Sequence, residues 1–198
     1  MARNRPASGQ VRIIAGQWRS RRLPIHDLEG LRPTTDRVRE TLFNWLAGDL
    51  AGARVLDCFG GSGALALEAL SRYASYANIF ELQTSAAKQL KQNLLTLKCE
   101  HADVVQGDTL ALLQQPPAQG FDIVFIDPPF RKGLATETIA ALDKQHWLND
   151  CAQIYVETES ELSLLPVPET WVQLKEKKAG QVIYRLYQYQ APTNDVIN

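Results

Sequence analysis

The 198-residue chain has few of the residues that build disulfide frameworks and metal centres, with three cysteines, three histidines and one methionine. Cys58, Cys99 and Cys151 are widely spaced and form no C-x-x-C pair, which favours three buried, reduced thiols. No apolar run is long enough to span a bilayer, and the first residues lack the hydrophobic segment of a signal peptide. These absences predict a cytoplasmic protein that has no metal and no membrane partner.

The charge of the chain is unevenly distributed. The net charge is only −1, yet residues 1–39 carry nine arginines, no lysine and three carboxylates, so the remainder is acidic. Positive charge supplied only by arginine, on an otherwise acidic chain, is typical of contact with a phosphate backbone. The alternative is a solvated basic tail. Because several of these arginines lie among strand-like residues, nucleic-acid contact is the better interpretation.

Short apolar segments alternate with helical ones from residue 54 onward, which predicts a parallel sheet. We expect an antiparallel hairpin at each end of the chain: a small basic one whose arginines share an exposed face, and a C-terminal one that closes the sheet. The predicted parallel strands are residues 55–57, 78–81, 103–106, 121–126 and 153–157. The predicted hairpins pair residues 11–14 with 18–23, and residues 171–174 with 182–187 across a turn at 177–180.

The most informative motif is Asp127-Pro128-Pro129-Phe130, directly after the apolar run 121–126. Each proline fixes its own φ, and the residue before a proline is pushed into an extended conformation. The Asp127 carboxylate and the Pro128 carbonyl are therefore expected to be rigid, adjacent acceptors beside the ring of Phe130. Two acceptors next to an aromatic face suit the exocyclic amine of a nucleobase. We predict a catalytic site that transfers an alkyl group to such an amine.

A glycine-rich segment, residues 57–63, lies between a predicted strand and a helix, where the backbone can approach a ligand closely. By itself it leaves a nicotinamide cofactor open. Glu81 is placed to bridge ribose hydroxyls, and Asp108 either accepts from an adenine amine or caps a helix. The proline motif favours S-adenosyl-L-methionine, because hydride transfer has no use for it. The expected cofactor contacts are Asp57, Phe59, Gly60, Gly61, Gly63, Glu81 and Asp108.

Four segments resemble the RsmD family, whose members methylate the N2 amine of one guanine in bacterial small-subunit (16S) rRNA. The resemblance covers residues 10–190, nearly the whole chain. The segments are Arg12-Ile13-Ile14-x-Gly16-x-Trp18-Arg19, Arg32-Pro33-Thr34-Thr35-Asp36-Arg37-Val38-Arg39-Glu40, Leu56-Asp57-Cys58-Phe59 and Gly180-Gln181-Val182-x-Tyr184-Arg185-Leu186-Tyr187.

This resemblance implies an α/β fold of the class I, Rossmann-like methyltransferase type, with a mostly parallel seven-stranded sheet, a C-terminal antiparallel hairpin and an N-terminal basic β-hairpin extension. It implies three parts: an RNA-contacting extension over residues 1–35, a methyltransferase domain over 36–190 and a flexible tail over 191–198. The substrate implied is 16S rRNA in the small ribosomal subunit or its assembly intermediate. The expected RNA contacts are Arg12, Arg19, Arg21, Arg32, Arg37 and Arg39.

Three other functions stay open at this stage. A DNA adenine-N6 methyltransferase shares the proline motif, but a chain of this length has no obvious target-recognition domain. A glutamine-amide protein methyltransferase would ordinarily begin the motif with Asn. A ribosome-assembly factor could keep the fold and bind RNA without turnover, although the intact motif and Glu81 weigh against it. Guanine, adenine and cytosine all carry suitable amines, so guanine depends on the resemblance alone.

Overall fold

A seven-stranded sheet runs through the part of the protein that a computed structural model describes, residues 9–25 and 35–192. Its strand order is β5-β4-β3-β6-β7-β9-β8, and a separate two-stranded sheet pairs β1 with β2. The strands are β1 (Gln10–Arg12), β2 (Arg22–Pro24), β3 (Arg54–Asp57), β4 (Tyr76–Glu81), β5 (Ala102–Gln106), β6 (Phe121–Ile126), β7 (Leu148–Glu159), β8 (Trp171–Ala179) and β9 (Val182–Tyr189).

The five strands β3 to β7 are parallel to one another, and the pair β8 and β9 completes the sheet in antiparallel register. This arrangement confirms the fold class predicted from the sequence. The five predicted parallel strands all form, and the longest difference is at β7, which begins at Leu148 rather than at residue 153. Its early part carries a register shift opposite β6, so the alternation that identifies a strand is broken there.

Helices cover both faces of the sheet, and this explains why β6 is apolar at every position except Asp122. One core cluster joins α1, α2 and α3 to one face, and a second joins α5 to the other. Phe125 belongs to the first cluster and its neighbour Ile126 to the second. The helices are α1 (Asp36–Trp45), α2 (Ala64–Ser71), α3 (Thr84–Leu97), α4 (Thr109–Leu112) and α5 (Leu134–Lys144).

The C-terminal hairpin turns more tightly than its sequence predicted. Lys177 and Lys178 lie within β8, not in the turn, and the strands connect through Gly180, whose φ is +61°. β8 is the edge strand, and its residues after Trp171 are exposed. Lysines on an exposed edge discourage pairing with another chain, which gives Lys175, Lys177 and Lys178 a structural reason to be there.

The predicted N-terminal hairpin also forms, with Val11 opposite Leu23 in antiparallel register. Its strands are shorter than expected, and irregular chain with turns over residues 13–21 connects them. The buried side chains of Val11, Ile13, Trp18 and Leu23 join the same core cluster as α1, α2 and α3. The boundary predicted at residue 35 therefore does not separate two cores.

The three cysteines of the chain differ in their exposure. Cys58 and Cys99 are buried thiols as predicted, but Cys151 is exposed, because it lies at the irregular start of β7 with φ +62°. Within residues 9–25 and 35–192, no group of three His, Cys, Asp or Glu side chains could hold a metal ion. In the same ranges, no helix has the length and apolar character required to cross a membrane.

Candidate active site

The carboxyl ends of the parallel strands meet at one edge of the sheet, where ligands of open α/β folds bind. β3 has β4 on one side and β6 on the other, so the chain reverses its direction of progress across the sheet at this point. Such a switch point opens a crevice between the loops that follow the two central strands. The loops that follow β3 and β6 are the glycine-rich segment and the Asp-Pro-Pro-Phe motif.

Four neighbouring strands have a carboxylate at or near their carboxyl end, and we call these four side chains the carboxylate row. Asp57 is in register with Ile79 of β4 and Phe125 of β6, and Phe125 is in register with Tyr155 of β7. Side chains two residues apart on a strand share a face. Ile79, Phe125 and Tyr155 each precede a carboxylate by two residues. Those three carboxylates therefore lie on the same face of the sheet as Asp57. The row is Glu81, Asp57, Asp127 and Glu157, in the order of the strands.

Asp57 lies in the middle of the row and is 1% exposed. The pKa of Asp57 is raised to about 7, chiefly by burial and to a smaller extent by the negative charges of Asp127 and Glu81, against the lowering effect of the Phe59 backbone N–H. That N–H donates to the Asp57 carboxylate over 3.2 Å. The two charged groups that raise this pKa are both carboxylates, so Asp57 lies among acidic side chains.

Glu81 binds the glycine-rich segment to the next loop. One of its oxygens accepts from Gly61 N–H and the other from Gln83 N–H, each over 2.7 Å. Gly60 donates its N–H to the carbonyl of Phe80 over 2.7 Å. The role predicted for Glu81 was a ribose contact; the structure adds that Glu81 fixes the loop that would cradle such a ligand.

The loop ends at the first turn of α2 without a side-chain cap. Gly63 occupies the N-cap position with φ +78°, a conformation that favours glycine, and it makes no side-chain cap hydrogen bond. The N-terminal N–H groups of a helix are strong donors, so this end of α2 is suited to bind an acceptor. Phe59, also predicted as a cofactor contact, is partly buried and packs against the second core cluster.

Asp108 caps α4 by accepting from the N–H of Ala111 over 3.0 Å. The sequence offered this cap and an adenine contact as alternatives. The structure shows the cap, and the adenine contact stays a prediction. Gly107, just before Asp108, donates to the carbonyl of Glu81 over 3.0 Å, which holds the end of β5 beside β4.

The Asp-Pro-Pro-Phe motif leaves β6 as an irregular loop. Asp127 and Phe130 are half-buried, while Pro128 is buried and Pro129 is exposed. Arg131 follows with φ +63°, an unusual value for a non-glycine residue, and its N–H donates to the Glu159 carboxylate over 3.2 Å. The motif therefore lies between a buried strand and a turn that β7 helps to hold. These positions are compatible with the catalytic roles predicted for it.

Glu157 and Tyr155 are members of the site that the sequence reading missed. Tyr155 is fully buried, and its hydroxyl donates to Glu157 over 2.8 Å. Burial raises the pKa of Tyr155 well above its ordinary value, and Glu157 and Asp127 raise it further. The signal was present in the sequence, because Glu157 stands near the end of a parallel strand in the same way as Glu81.

The N-terminal hairpin, residues 9–25, is held against α2 by backbone hydrogen bonds. Buried Glu68 accepts from the N–H of Ile14 over 2.7 Å and from that of Ala15 over 3.0 Å. A Cβ on Gly16 would lie 1.9 Å from the Ser71 carbonyl oxygen, so only glycine fits at this contact. We call residues 9–25 the arginine hairpin. It is a fixed part of the fold rather than a loose basic tail.

The predicted RNA contacts divide into exposed and buried arginines. Arg19, Arg21 and Arg37 are exposed, and Arg12 is exposed but paired with Asp36 over 2.7 Å. Arg39 differs from the prediction, because it is 3% exposed and donates to the Arg12 carbonyl over 2.9 Å. It also pairs with Asp36. Arg39 thus fastens α1 to the hairpin, and the small exposed part of its side chain lines a cavity beside the hairpin. Arg32 lies outside the described residues.

A cavity of about 310 Å³ connects the arginine hairpin with the glycine-rich loop. Arg12 and Arg22 line its basic side, and Ser62 and Ala64, at the start of α2, line the other. Two of the predicted RNA contacts, Arg12 and Arg39, therefore border the loop predicted to bind the cofactor. Sequence reading could not foresee this proximity, because it depends on how the hairpin packs on α2.

A family model described as conserved hypothetical protein 95 matches residues 11–188. The chain belongs to this family, the RsmD family. The chain is 56% identical to Ribosomal RNA small subunit methyltransferase D of Escherichia coli K12 over 95% of its length and 94% of the relative's. The protein of that name from Haemophilus influenzae is 53% identical, with 92% and 95% covered. The family predicted from the sequence motifs is thereby confirmed.

Solved structures give the same result for the fold. The E. coli protein yhhF is 54% identical, with a TM-score of 0.88 and 93% of this chain and 100% of that chain covered. HI0767 of H. influenzae is 49% identical, with a TM-score of 0.81 and 92% and 99% covered. TrmN of Thermus thermophilus, at 20% identity and a TM-score of 0.63, is similar in fold alone.

Proposed function

We propose that the protein methylates the exocyclic N2 amine of a guanine in small-subunit (16S) rRNA, with S-adenosyl-L-methionine as the donor. The observation that carries this proposal is the position of Asp127-Pro128-Pro129-Phe130, which follows β6 at the switch point of the sheet, beside the glycine-rich loop. The names of the relatives in E. coli and H. influenzae support the substrate class.

The residues at this edge suit a sulfonium cofactor better than a dinucleotide. The pyrophosphate of NAD would lie near Asp57, whose pKa is raised by burial and also by the negative charges of Asp127 and Glu81. A sulfonium cation is attracted by the same charges. Asp57, Glu81 and the Gly60–Gly63 loop would hold the cofactor, together with Phe59 and Asp108. When bound, S-adenosyl-L-methionine supplies a methyl group on a positively charged sulfur.

The proline motif would hold and activate the amine. Asp127 and the Pro128 carbonyl accept its two hydrogens, and Phe130 stacks on the base, so the nitrogen lone pair points out of the ring plane. Positioning of this kind accounts for much of the rate of such reactions. As the nitrogen gains positive charge, the Asp127 carboxylate stabilises it and accepts the proton that the methylated amine releases. The base must leave its stack to reach the crevice.

The exposed arginines would position the RNA backbone. Arg12, Arg19 and Arg21 lie on the arginine hairpin, and Arg37 lies in the first turn of α1. Arginines bind phosphate oxygens without regard to sequence, so they set the orientation and the proline motif reads the base. The proposed partner is 16S rRNA in the small subunit or its assembly intermediate, which assigns the reaction to the cytoplasm.

The alternatives are less well supported. Relatives more than 50% identical over nearly the whole chain are named as rRNA methyltransferases, which does not favour an adenine-N6 enzyme of DNA. Nor do they favour a glutamine-amide methyltransferase of proteins. An assembly factor without turnover would have no need of Asp127 beside buried Asp57. It is nevertheless distinguishable in cells, because such a factor would act without methyl transfer.

The test is mass mapping of methylated nucleosides in small-subunit rRNA from cells that lack this protein. We expect one N2-methylguanosine to disappear and to return when the wild-type chain is supplied. An unchanged nucleoside map would overturn the proposal, and loss of a methyladenosine would transfer the activity to another base. The same map gives the position of the target guanine.

A further inference from the structure

Two members of the carboxylate row lie side by side in the proposed site. Ile126 of β6 is in register with Val156 of β7, so the next residues, Asp127 and Glu157, are also opposite each other. Neighbouring strands are about 4.8 Å apart, so two planar donors of one base could reach both carboxylates. Phe125 and Tyr155, two residues earlier, meet with ring centroids 6.3 Å apart on the same face.

Tyr155 holds Glu157 in place. Its hydroxyl donates to Glu157 over 2.8 Å, and the residues are 0% and 6% exposed. A donating hydroxyl favours the ionised form of a carboxylate, which can only accept hydrogen bonds. Asp127 also acts electrostatically on Tyr155, so the hydroxyl lies close to both carboxylates. This part of the crevice therefore contains two neighbouring acceptors, of which Glu157 is held in place by Tyr155.

The edges of the nucleobases differ in what they offer to such a pair. Guanine presents two neighbouring donors, the N2 amine and the N1–H. Adenine presents its N6 amine beside N1, and cytosine presents its N4 amine beside N3, and both ring nitrogens are acceptors. A second carboxylate next to the amine-binding one therefore accepts a hydrogen bond from the N1–H of guanine. The same carboxylate repels the acceptor ring nitrogen of adenine or cytosine.

We propose that Glu157 is the specificity-determining residue of this site, accepting the N1–H of guanine while Asp127 and the Pro128 carbonyl hold the N2 amine. The proposal rests on the proposed function and adds the physical basis for the choice of base, which the Asp-Pro-Pro-Phe motif cannot supply. Tyr155 is a positioning residue that acts through Glu157.

The experiment compares guanine with 2-aminopurine, which keeps the 2-amine but has an acceptor at N1. Small-subunit rRNA joined from fragments would carry either base at the mapped methylation site, and single-turnover methyl transfer would be measured for wild type, Glu157→Gln and Tyr155→Phe. The absence of O6 in 2-aminopurine affects every protein in the same way. Its effect therefore cancels when the guanine preference of a variant is compared with that of the wild type. Glu169→Gln, at an exposed carboxylate far from the motif in sequence, is the matched control.

The wild type should prefer guanine about 10- to 100-fold, the range expected of one well-placed base contact. Glu157→Gln should reduce this preference for guanine about tenfold, because the glutamine amide can donate to N1 of 2-aminopurine. Tyr155→Phe should reduce the preference by a smaller factor. Glu169→Gln should leave the preference unchanged. Equal rates of the wild type on both bases overturn the proposal, as does an unchanged preference in Glu157→Gln. If the wild type methylates neither base, the proposed function itself has failed.

Discussion

The carboxylate row and the arginine hairpin carry opposite charges and hold them in different ways. In the row, Asp57, Glu81 and Glu157 are each less than a tenth exposed and are fixed by neighbouring strands. In the hairpin, most arginines are exposed, and backbone contacts to Glu68 and Ser71 hold the segment. A buried carboxylate in a fixed position can accept from a single amine, whereas exposed arginines can bind the phosphates of a flexible backbone. In the proposed function, one region selects the reacting atom and the other retains the molecule that carries it.

The largest effect should come from Asp127→Ala. The variant removes both an acceptor for the amine and the charge that stabilises the developing cation, which lowers the rate of methyl transfer by about 10²- to 10³-fold or more. RNA binding should be largely kept, because the exposed arginines are unchanged. Single-turnover transfer and filter binding measure the two quantities separately.

A matched substitution at Asp143, an exposed carboxylate on α5, is the control for Asp127→Ala, and Asp143→Ala should retain the wild-type rate. If Asp127→Ala still transfers methyl groups at the wild-type rate, the acidic edge is not the reacting region. If it loses RNA binding as well as transfer, the division between the two regions is wrong.

Gly16→Ala should break the attachment of the arginine hairpin. The new Cβ would meet the Ser71 carbonyl oxygen at 1.9 Å, at a residue whose φ is +81°. The free energy of unfolding should fall by about 2–4 kcal/mol, as is usual for overpacking at a strained backbone position. Urea denaturation measures this change.

Gly48→Ala is the matched control for Gly16→Ala, since a Cβ there has nothing within 4 Å. It should change stability by no more than about 0.5 kcal/mol. Equal effects of the two substitutions would show that the hairpin is attached loosely, contrary to its contacts with α2.

Asp57 provides a pH test of the buried region. Its pKa is about 7 in the folded protein, above the ordinary value of 3.8 that applies in the unfolded chain, so the folded state keeps the proton to a higher pH. The contribution of this group to stability is complete below pH 4 and is lost as the pH rises to 7. The loss is at most about 1.4 kcal/mol per pH unit over that window.

Relative to wild type, Asp57→Asn should therefore gain stability steadily between pH 4 and pH 7 and level off above. Denaturation of both proteins at several pH values checks this, and a pH-independent difference would contradict a protonated, buried Asp57. The exposed arginines of the hairpin should give no such dependence.

The two regions also differ in how far the sequence predicted them. The acidic edge follows from local rules: Asp57, Glu81 and Asp127 each end an apolar strand, and strand order alone brings them together. Glu157 obeys the same rule, but no motif surrounds it, so the sequence does not single it out. For the hairpin, arginine content predicted the surface but not Arg39, whose burial depends on the long-range packing of α1 against β1. Charge patterns identify a basic segment; they do not tell which member of it is enclosed.

The smallest effect concerns the exposed arginines. Each phosphate contact contributes about 0.7 to the slope of log binding constant against log salt for single-stranded RNA. Arg19→Ala combined with Arg21→Ala should therefore weaken RNA binding and reduce this slope by about 1.4 if both contact phosphate. Lys144→Ala, at an exposed position of α5, should leave the slope unchanged. Arg39→Ala should instead lower stability with little direct effect on the slope, because its guanidinium is enclosed. A wild-type slope in the double variant would remove the hairpin from the RNA interface, leaving the acidic edge to act on RNA that some other surface retains.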